Sequence, residues 1–163
     1  GVQTCALPIL VIMSLVPQDM ALEFLPFLNN PIIAVAPPDH PLCNAAKLSL
    51  KDLEPYPLLI REPGSGTREE VSHALLGHLH YLEDSLDLGS SEAIKHSVAA
   101  GLGISCLSRW VVEEQLASGA LVELRSSLPP LRRRFYMLRQ RDKFLSPGFE
   151  RFWEHCRAGL DAG

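Results

Sequence analysis

The chain has few cysteines, no long apolar run and no excess of positive charge, and each shortage excludes a class of protein. Its four cysteines form no Cys-x-x-Cys pair, which argues against a disulfide scaffold or a zinc ribbon and fits a reducing cytoplasm. The apolar run from Ala6 to Val16 is shorter than the roughly 20 residues of a membrane span, and Pro8 interrupts it. The net charge is −4, whereas a domain that grips DNA unaided has a strongly basic surface. We therefore expect no membrane partner and no DNA binding by this chain alone.

Motifs for catalysis and for metal binding are also absent from the sequence. It contains no Gly-x-Ser-x-Gly nucleophile elbow, no His-Glu-x-x-His pair and no phosphate loop ending in Gly-Lys-Ser/Thr. His73, His78 and His80 share one helix-like stretch, but their i, i+2 and i, i+5 spacings do not put two ligands on one face. We therefore expect no catalytic residue, no metal and no cofactor.

What the sequence does contain is a globular α/β pattern with one unusual turn. The hydrophobic fraction is 47% and the charged fraction 21%, which are values of a folded domain. Residues 61 to 68, Arg-Glu-Pro-Gly-Ser-Gly-Thr-Arg, separate a strand-like run that ends at Ile60 from a helix-like run over Glu69–Leu79. Such a turn leaves the first helix amides unpaired and aimed outward, at the positive end of the helix dipole. The stretch predicts a seat for a carboxylate, phosphate or sulfate. The alternative is an ordinary tight turn with Ser65 or Thr67 as helix cap.

A second strand–loop–helix pattern follows downstream. A short strand ends at Gly89, a serine cap opens a helix that Gly101 closes, and Gly103–Leu107 has the composition of a buried strand. Open α/β sheets bind ligands at the carboxyl ends of their strands, so we expect the two helix starts to form one anion site. Arg61 supplies the charge in this hypothesis, although a salt bridge is an equal alternative, and Arg68 pairs with acids. The predicted effector-binding residues are Arg61, Ser65, Gly66, Thr67, Gly89, Ser90 and Ser91.

The remaining elements are predicted from periodicity and turn residues. Two strands, Leu22–Phe27 and Pro31–Ala36, are joined at Asn29-Asn30, a turn signal. The parity of Arg133, Arg139 and Arg141 along the last strand predicts a basic stripe on an exposed face, where the side chains are solvated or ion-paired, with an interface contact as the alternative. The final helix begins at Pro147 and carries one apolar stripe, for which core packing is preferred and a subunit interface is the alternative. The stripe comprises Phe149, Phe152, Trp153 and Cys156.

Three of these segments together resemble the effector-binding domain of LysR-type transcriptional regulators, over roughly Leu10–Leu160. The segments are Arg61–Arg68, Gly89–Lys95 and Ala99–Ile104. The first is especially similar to the subgroup that regulates carbon-fixation operons. The resemblance implies a two-lobed α/β fold like that of type 2 periplasmic binding proteins, with a complete second lobe at residues 41–128. It implies a partial first lobe at residues 10–40 and 129–163.

The same resemblance implies a function. The chain is expected to bind a small anionic metabolite between its lobes and so to control DNA binding by a helix-turn-helix domain that is missing from it. A cytoplasmic homodimer or homotetramer is implied for the full-length protein. A transporter's solute-binding protein is the alternative, and an enzyme on the same fold is disfavoured because no acid–base pair is evident. Residues 1–9 match nothing in the family and back-translate to the end of a sequencing adapter, so we expect a non-native leader.

Overall fold

The computed structural model describes residues 10–14, 21–75, 83–126, 131–141 and 144–161. It divides into two compact units, which we call the terminal unit (residues 1–29 and 134–163) and the middle unit (residues 30–133). The divisions fall inside two long strands, β2 (Leu22–Ala36) and β7 (Leu131–Gln140). The lobe limits predicted at residues 40/41 and 128/129 stay a prediction, and the expected leader at residues 1–9 lies outside the described residues.

The middle unit is an α/β domain built on a mixed sheet. Besides β2, the sheet contains β3 (Leu58–Arg61), β4 (Leu86–Leu88), β5 (Ile104–Ser108) and β6 (Val122–Glu123). The strand order is β4–β3–β5–β2–β6. Strand β3 runs parallel to β4 and β5, whereas β2 is antiparallel to both β5 and β6. A 3₁₀ turn (Pro41–Asn44) and four described helices complete the unit. The helices are α1 (Leu50–Leu53), α2 (Gly66–Ala74), α3 (Ser91–Ala99) and α4 (Arg109–Ser118).

Apolar side chains cover this sheet on both faces, which explains its continuous hydrophobic strands. Alternate residues of the strands join two separate clusters of buried side chains. One cluster holds Ile60, Ile104 and Val71 of α2, and the other holds Leu59 with Ile94 of α3. Each fully buried aliphatic side chain contributes about 1.5–3 kcal/mol relative to an exposed one. The α/β class expected from the sequence is therefore confirmed.

Residue Cys106 lies in the middle of β5 with a 7% exposed fraction, in keeping with the buried strand predicted at Gly103–Leu107. Burial raises the pKa of its thiol to about 12, so the side chain behaves as a small neutral hydrophobe. Nearby, Gly103 has a φ of +154°, and an added Cβ would lie 2.3 Å from the Pro57 carbonyl oxygen. The close approach of these two backbones therefore requires glycine at this entry to β5.

The turn predicted at Asn29-Asn30 is wrong, because β2 runs unbroken from Leu22 to Ala36. Asn30 is 2% exposed and its side-chain oxygen accepts a hydrogen bond from the Ser108 hydroxyl. The Asn29 side-chain oxygen accepts one from Arg134 Nε at 3.2 Å. Asparagine favours turns by bonding to its own backbone, and here both side chains are committed to other strands instead.

In the terminal unit, β7 lies between β1 (Val11–Met13) and β2, and the last helix, α5, spans Pro147–Asp161. Val11 pairs with Leu138 in an antiparallel register. The Arg139 guanidinium stacks 4.5 Å from the ring centroid of the fully buried Trp153 and also donates to Glu23 and Glu150, at 2.6 and 2.8 Å. Arg139 therefore does not lie on the exposed face predicted for it, since its side chain is only 14% exposed, but it forms the ion pairs expected of the stripe.

The apolar stripe of α5 is only partly buried. Trp153 has no exposed surface, Phe149 and Cys156 are half-buried, and Phe152 is 48% exposed. Core packing therefore holds for Trp153, and the interface alternative for Phe152 stays a prediction. Among the residues that the structure describes, no helix is both long enough and apolar enough to span a bilayer.

Candidate anion-binding site

The two strand–loop–helix connections of the middle unit leave the sheet at the same edge. Because β3 and β4 are parallel and Arg61 is in register with Leu88, both strands end side by side. The loop after β3 leads into α2, and the loop after β4 leads into α3. The sheet topology thus brings together the two sequence segments that predict an anion site.

Residue Arg61 connects these two loops through its guanidinium group. Its Nη1 donates to the Ser91 hydroxyl at 3.0 Å, and its Nε and Nη2 donate to the two carboxylate oxygens of Glu62 at 2.7 and 2.8 Å. Hydrogen bonding to Glu62 raises the pKa of Arg61, and the same contact lowers the pKa of Glu62 to about 2. Both groups are therefore charged at neutral pH. Arg61 forms the salt bridge named as its alternative role and also reaches the second loop.

The start of α2 has no side-chain cap among the described residues. The backbone N–H of Ser65 closes a turn onto the Glu62 carbonyl at 3.2 Å, and Gly64 takes the φ of +87° that the third position of a type II turn requires. Ser65 occupies the N-cap position with extended backbone angles, but its hydroxyl makes no cap hydrogen bond. Gly66 and Thr67 follow as the first two helical residues. The first amides of α2 thus have no side-chain cap from Ser65, and the anion seat predicted there stays a prediction.

The start of α3 is different, because its cap hydroxyl is already used. Ser90 Oγ accepts a hydrogen bond from the Ala93 backbone N–H at 3.0 Å, which is the ordinary N-cap contact. The neighbouring Ser91 hydroxyl is the one that binds Arg61. At Gly89 an added Cβ would meet open space, so no close backbone approach requires glycine there. The structure thus brings Ser91 to Arg61, while Ser90 serves its own helix.

Sequence reasoning missed Arg133, which belongs to this site. Its Nη1 donates to the Thr67 hydroxyl oxygen at 3.0 Å, and Thr67 is only 3% exposed. Burial lowers the pKa of Arg133 and the positive charge of Arg61 lowers it further, while Glu70 acts in the opposite direction. The half-buried Arg133 therefore contradicts the predicted exposed stripe. No local pattern could have indicated a contact between residues 66 positions apart.

A third arginine holds the loop in place. Arg68, in the first turn of α2, donates to the Arg61 carbonyl oxygen at 2.8 Å and forms an ion pair with Asp87 of β4. The predicted pairing of Arg68 with a nearby acid is confirmed. Because Arg68 links the end of β3 to β4, it fixes the position of the strand end from which Arg61 projects. No group of three or more metal-ligating side chains is found in the described ranges.

The sequence matches the model of the LysR substrate binding domain family over residues 10–161. The chain belongs to this family. It is 45% identical over 131 residues to an uncharacterised HTH-type transcriptional regulator, YeiE, of Escherichia coli K12, covering 80% of this chain and 44% of that protein. It is 34% identical over 159 residues to the RuBisCO operon transcriptional regulator of Allochromatium vinosum, covering 92% of this chain and 53% of that one. The resemblance to LysR-type regulators, including the carbon-fixation subgroup, is confirmed.

A solved structure shows the same fold at moderate identity. The regulatory domain of Synechocystis CcmR, in complex with 2-PG, superimposes with a TM-score of 0.77 at 36% identity, covering 92% of this chain and 72% of that chain. The fold class expected from the resemblance, that of the LysR effector domain, is thereby confirmed. These relatives are transcription regulators and not transporter components, so the transporter alternative loses its support. The chain spans about half the length of the curated relatives, 44% of one and 53% of the other.

Proposed function

We propose that this chain is the ligand-sensing part of a LysR-type transcription regulator and binds a small anionic metabolite at the start of α2. The observation that carries the proposal is the uncapped α2 start, which stands beside two guanidinium groups. Arg61 and Arg133 are close enough for the charge of one to lower the pKa of the other. An anion seated on the α2 amides would relieve this repulsion and accept hydrogen bonds from the helix start.

The residues divide this task between them. The amides of Gly66 and Thr67 hold the anion by hydrogen bonds, and Arg61 contributes a full positive charge. Arg133 acts through the Thr67 hydroxyl oxygen, to which it donates, and thereby orients the hydroxyl hydrogen away from itself and toward the ligand. Ser65 has a hydroxyl that no cap contact uses, so it is available to the same ligand. Ser90 and Gly89, predicted as direct ligand contacts, are assigned the lesser role of shaping the α3 start.

The relative with a bound small molecule supports an anionic ligand. CcmR was solved with 2-PG, a small anion, and its regulatory domain is 36% identical to this chain. We extend the ligand class, an acidic metabolite, to this chain. In our proposal, binding of the ligand shifts an equilibrium between conformations of the protein by its differential affinity for them.

The proposal extends to the full-length protein. DNA would be bound by a helix-turn-helix domain outside this chain, in a cytoplasmic homodimer or homotetramer, with no membrane partner and no catalytic step. The net charge of −4 supports the assignment of DNA contacts to another part of the protein. Reciprocal coupling then requires that any ligand which changes DNA affinity has its own affinity changed by DNA to the same degree.

Calorimetric titration of the full-length protein with 2-PG tests the site. Thr67→Val keeps the shape of the buried side chain and removes its hydroxyl, so we expect affinity to fall by about 10-fold or more, as for a lost hydrogen bond to a charged group. Ser118→Ala, which removes a hydroxyl that contacts only the Gln115 carbonyl among the described residues, is the matched control and should leave affinity unchanged. Equal affinity of Thr67→Val and the parent protein would remove the site assignment.

A further inference from the structure

We propose that Glu62 is a built-in competitor of the ligand: its carboxylate occupies the Nε–Nη2 edge of the Arg61 guanidinium, one of the two edges that can hold an anion by paired hydrogen bonds, and so lowers the affinity of the site. This inference rests on the proposed function, because it concerns the same anion seat. It adds Glu62, which is not among the predicted effector-binding residues. Glu62 acts on the ligand through Arg61 and changes the affinity of the site.

The contact has the geometry of a bound carboxylate ligand. Two parallel hydrogen bonds join Nε and Nη2 of Arg61 to the two oxygens of Glu62, at 2.7 and 2.8 Å. This fork-to-fork arrangement is the one by which arginine recognises carboxylates and phosphates in general. The Nη1 atom is in turn bonded to Ser91 Oγ at 3.0 Å. A ligand that takes paired hydrogen bonds from the Nε–Nη2 edge must therefore displace Glu62, whereas one on the Nη1–Nη2 edge would share Nη1 with Ser91.

Displacement of Glu62 is energetically accessible. The Glu62 side chain is 42% exposed and that of Arg61 is 23% exposed, so the released carboxylate returns to water. Exposed ion pairs are weak, and even a bidentate one is expected to cost a competing anion only about 3-fold to 10-fold in affinity. When only a fraction of molecules offers a free Arg61, the apparent dissociation constant rises by the inverse of that fraction. Glu62 thus raises the ligand concentration needed for a response without closing the site.

The role of Glu62 is separable from the folding of the loop. In the part of the chain that the structure describes, its carboxylate bonds only to Arg61 and to its own backbone. The turn itself is closed by the backbone, through the Glu62 carbonyl and the Ser65 N–H, which any residue at position 62 provides. Because hydrogen bonding to Arg61 lowers the pKa of Glu62 to about 2, the competitor stays ionised at every pH above about 5. Competition is therefore constant across the physiological range.

The test is a calorimetric titration of the full-length protein with 2-PG, comparing the parent with Glu62→Gln and Glu62→Ala. We expect both variants to bind 2-PG about 3-fold to 10-fold more tightly than the parent. The ratio of affinities should be the same at pH 6 and pH 8, since Glu62 is ionised at both. Glu113→Gln on α4, an exposed glutamate that makes no described contact with Arg61, controls for the change in net charge and should leave affinity unchanged.

The outcomes separate this inference from the proposed function. If the parent binds 2-PG and the two Glu62 variants bind equally well or more weakly, Glu62 is no competitor and only this inference is overturned. An equal gain in Glu113→Gln would also overturn it, because the effect would then come from net charge. If neither the parent nor any variant binds 2-PG, the proposed function fails and this inference falls with it. Binding by the Glu62 variants alone would support competition in its strongest form.

Discussion

The starts of α2 and α3 leave the same sheet edge and have similar sequences, Gly-Ser-Gly-Thr and Gly-Ser-Ser-Glu, but their hydroxyl groups do different things. At α3 the Ser90 hydroxyl accepts from Ala93 N–H and stabilises its own helix. At α2 the Ser65 hydroxyl makes no cap bond, and the Thr67 hydroxyl oxygen accepts from Arg133 instead. A hydroxyl that caps a helix satisfies an amide that a ligand would otherwise use. The two starts therefore differ in the contacts of their hydroxyl groups although a sequence pattern treats them alike.

The basic side chains at the two helix starts also differ in their contacts. The basic residue of the α3 start, Lys95, is 8% exposed and is engaged by Glu92 at 2.7 Å and the Val111 carbonyl at 3.4 Å. Its positive charge is thus neutralised within the helix and its neighbour. At the α2 start, Arg61 is also paired with a carboxylate, that of Glu62, and Arg133 donates to the Thr67 hydroxyl oxygen. The Arg61 side chain is 23% exposed, against 10% for that of Lys95.

The contrast between the two helix starts is tested most directly by removing one backbone amide from each. Proline is tolerated at the first helical position, and the extended backbone of Ser65 (ψ 127°) is compatible with a following proline. Gly66→Pro should therefore leave α2 folded, delete one amide of the anion seat and weaken 2-PG binding by about 10-fold or more. Calorimetry measures the affinity, and circular dichroism checks the fold.

The matched change at α3 is Ser91→Pro, with Ser91→Ala as its reference because both lose the hydroxyl that contacts Arg61. The extended backbone of Ser90 (ψ 146°) accepts a following proline in the same way. If α3 offers no amide to the ligand, the two Ser91 variants should bind 2-PG with equal affinity. A further loss in Ser91→Pro beyond Ser91→Ala would show that both helix starts hold the anion, and the contrast would collapse.

A smaller effect is expected on stability, and here the change at the α3 start should cost more than the change at the α2 start. Ser90→Ala removes a working N-cap and should lower the free energy of unfolding by about 1 kcal/mol. Ser65→Ala removes a hydroxyl without a cap bond and should change it by less than about 0.5 kcal/mol. Urea unfolding of the two variants measures the difference. Equal losses would mean that Ser65 caps α2 in solution, which would contradict an open anion seat.

The smallest effect is expected at the ion pair that anchors the α2 loop. Arg68→Met breaks the partly exposed contacts with Asp87 and the Arg61 carbonyl and should lower the free energy of unfolding by less than about 1 kcal/mol. The loss from the ion pair should shrink in 0.5 M NaCl, because salt screens exposed charges. Arg157→Met on α5, which breaks an exposed pair with Glu154, is the control. A larger loss that salt does not reduce would identify the Arg61 carbonyl contact as the dominant one.

Local features of the fold were predictable where the interacting groups are neighbours in sequence. Asp52 accepts from the backbone N–H and the hydroxyl of Ser49, at 2.7 and 2.6 Å, and so caps the start of α1 from three residues away. Gly101 takes a φ of +81° after α3, in keeping with its predicted role as helix terminator. These contacts span only a few residues, so residue type and spacing decide them.

The predictions that were wrong depend on partners that are distant in sequence. Asn30 is held in a continuous strand by Ser108, which lies 78 positions away, and a turn propensity of the asparagine pair could not compete with that pairing. Arg139 was assigned to an exposed face because strand parity gives the face of a side chain but not what covers it. The indole ring of Trp153 covers the Arg139 guanidinium.

By itself, the sequence determined an α/β domain of the LysR family with two helix starts rich in serine and glycine. It did so because strand, turn and cap preferences act over a few residues, and because family motifs are short. The tertiary structure alone decided how the side chains at these two starts are paired. That pairing depends on Arg133 reaching Thr67 from 66 positions away, on Arg61 reaching Ser91 across two parallel strands, and on Glu62 occupying Arg61. Sheet order and packing set these contacts, and no local pattern of residues encodes them.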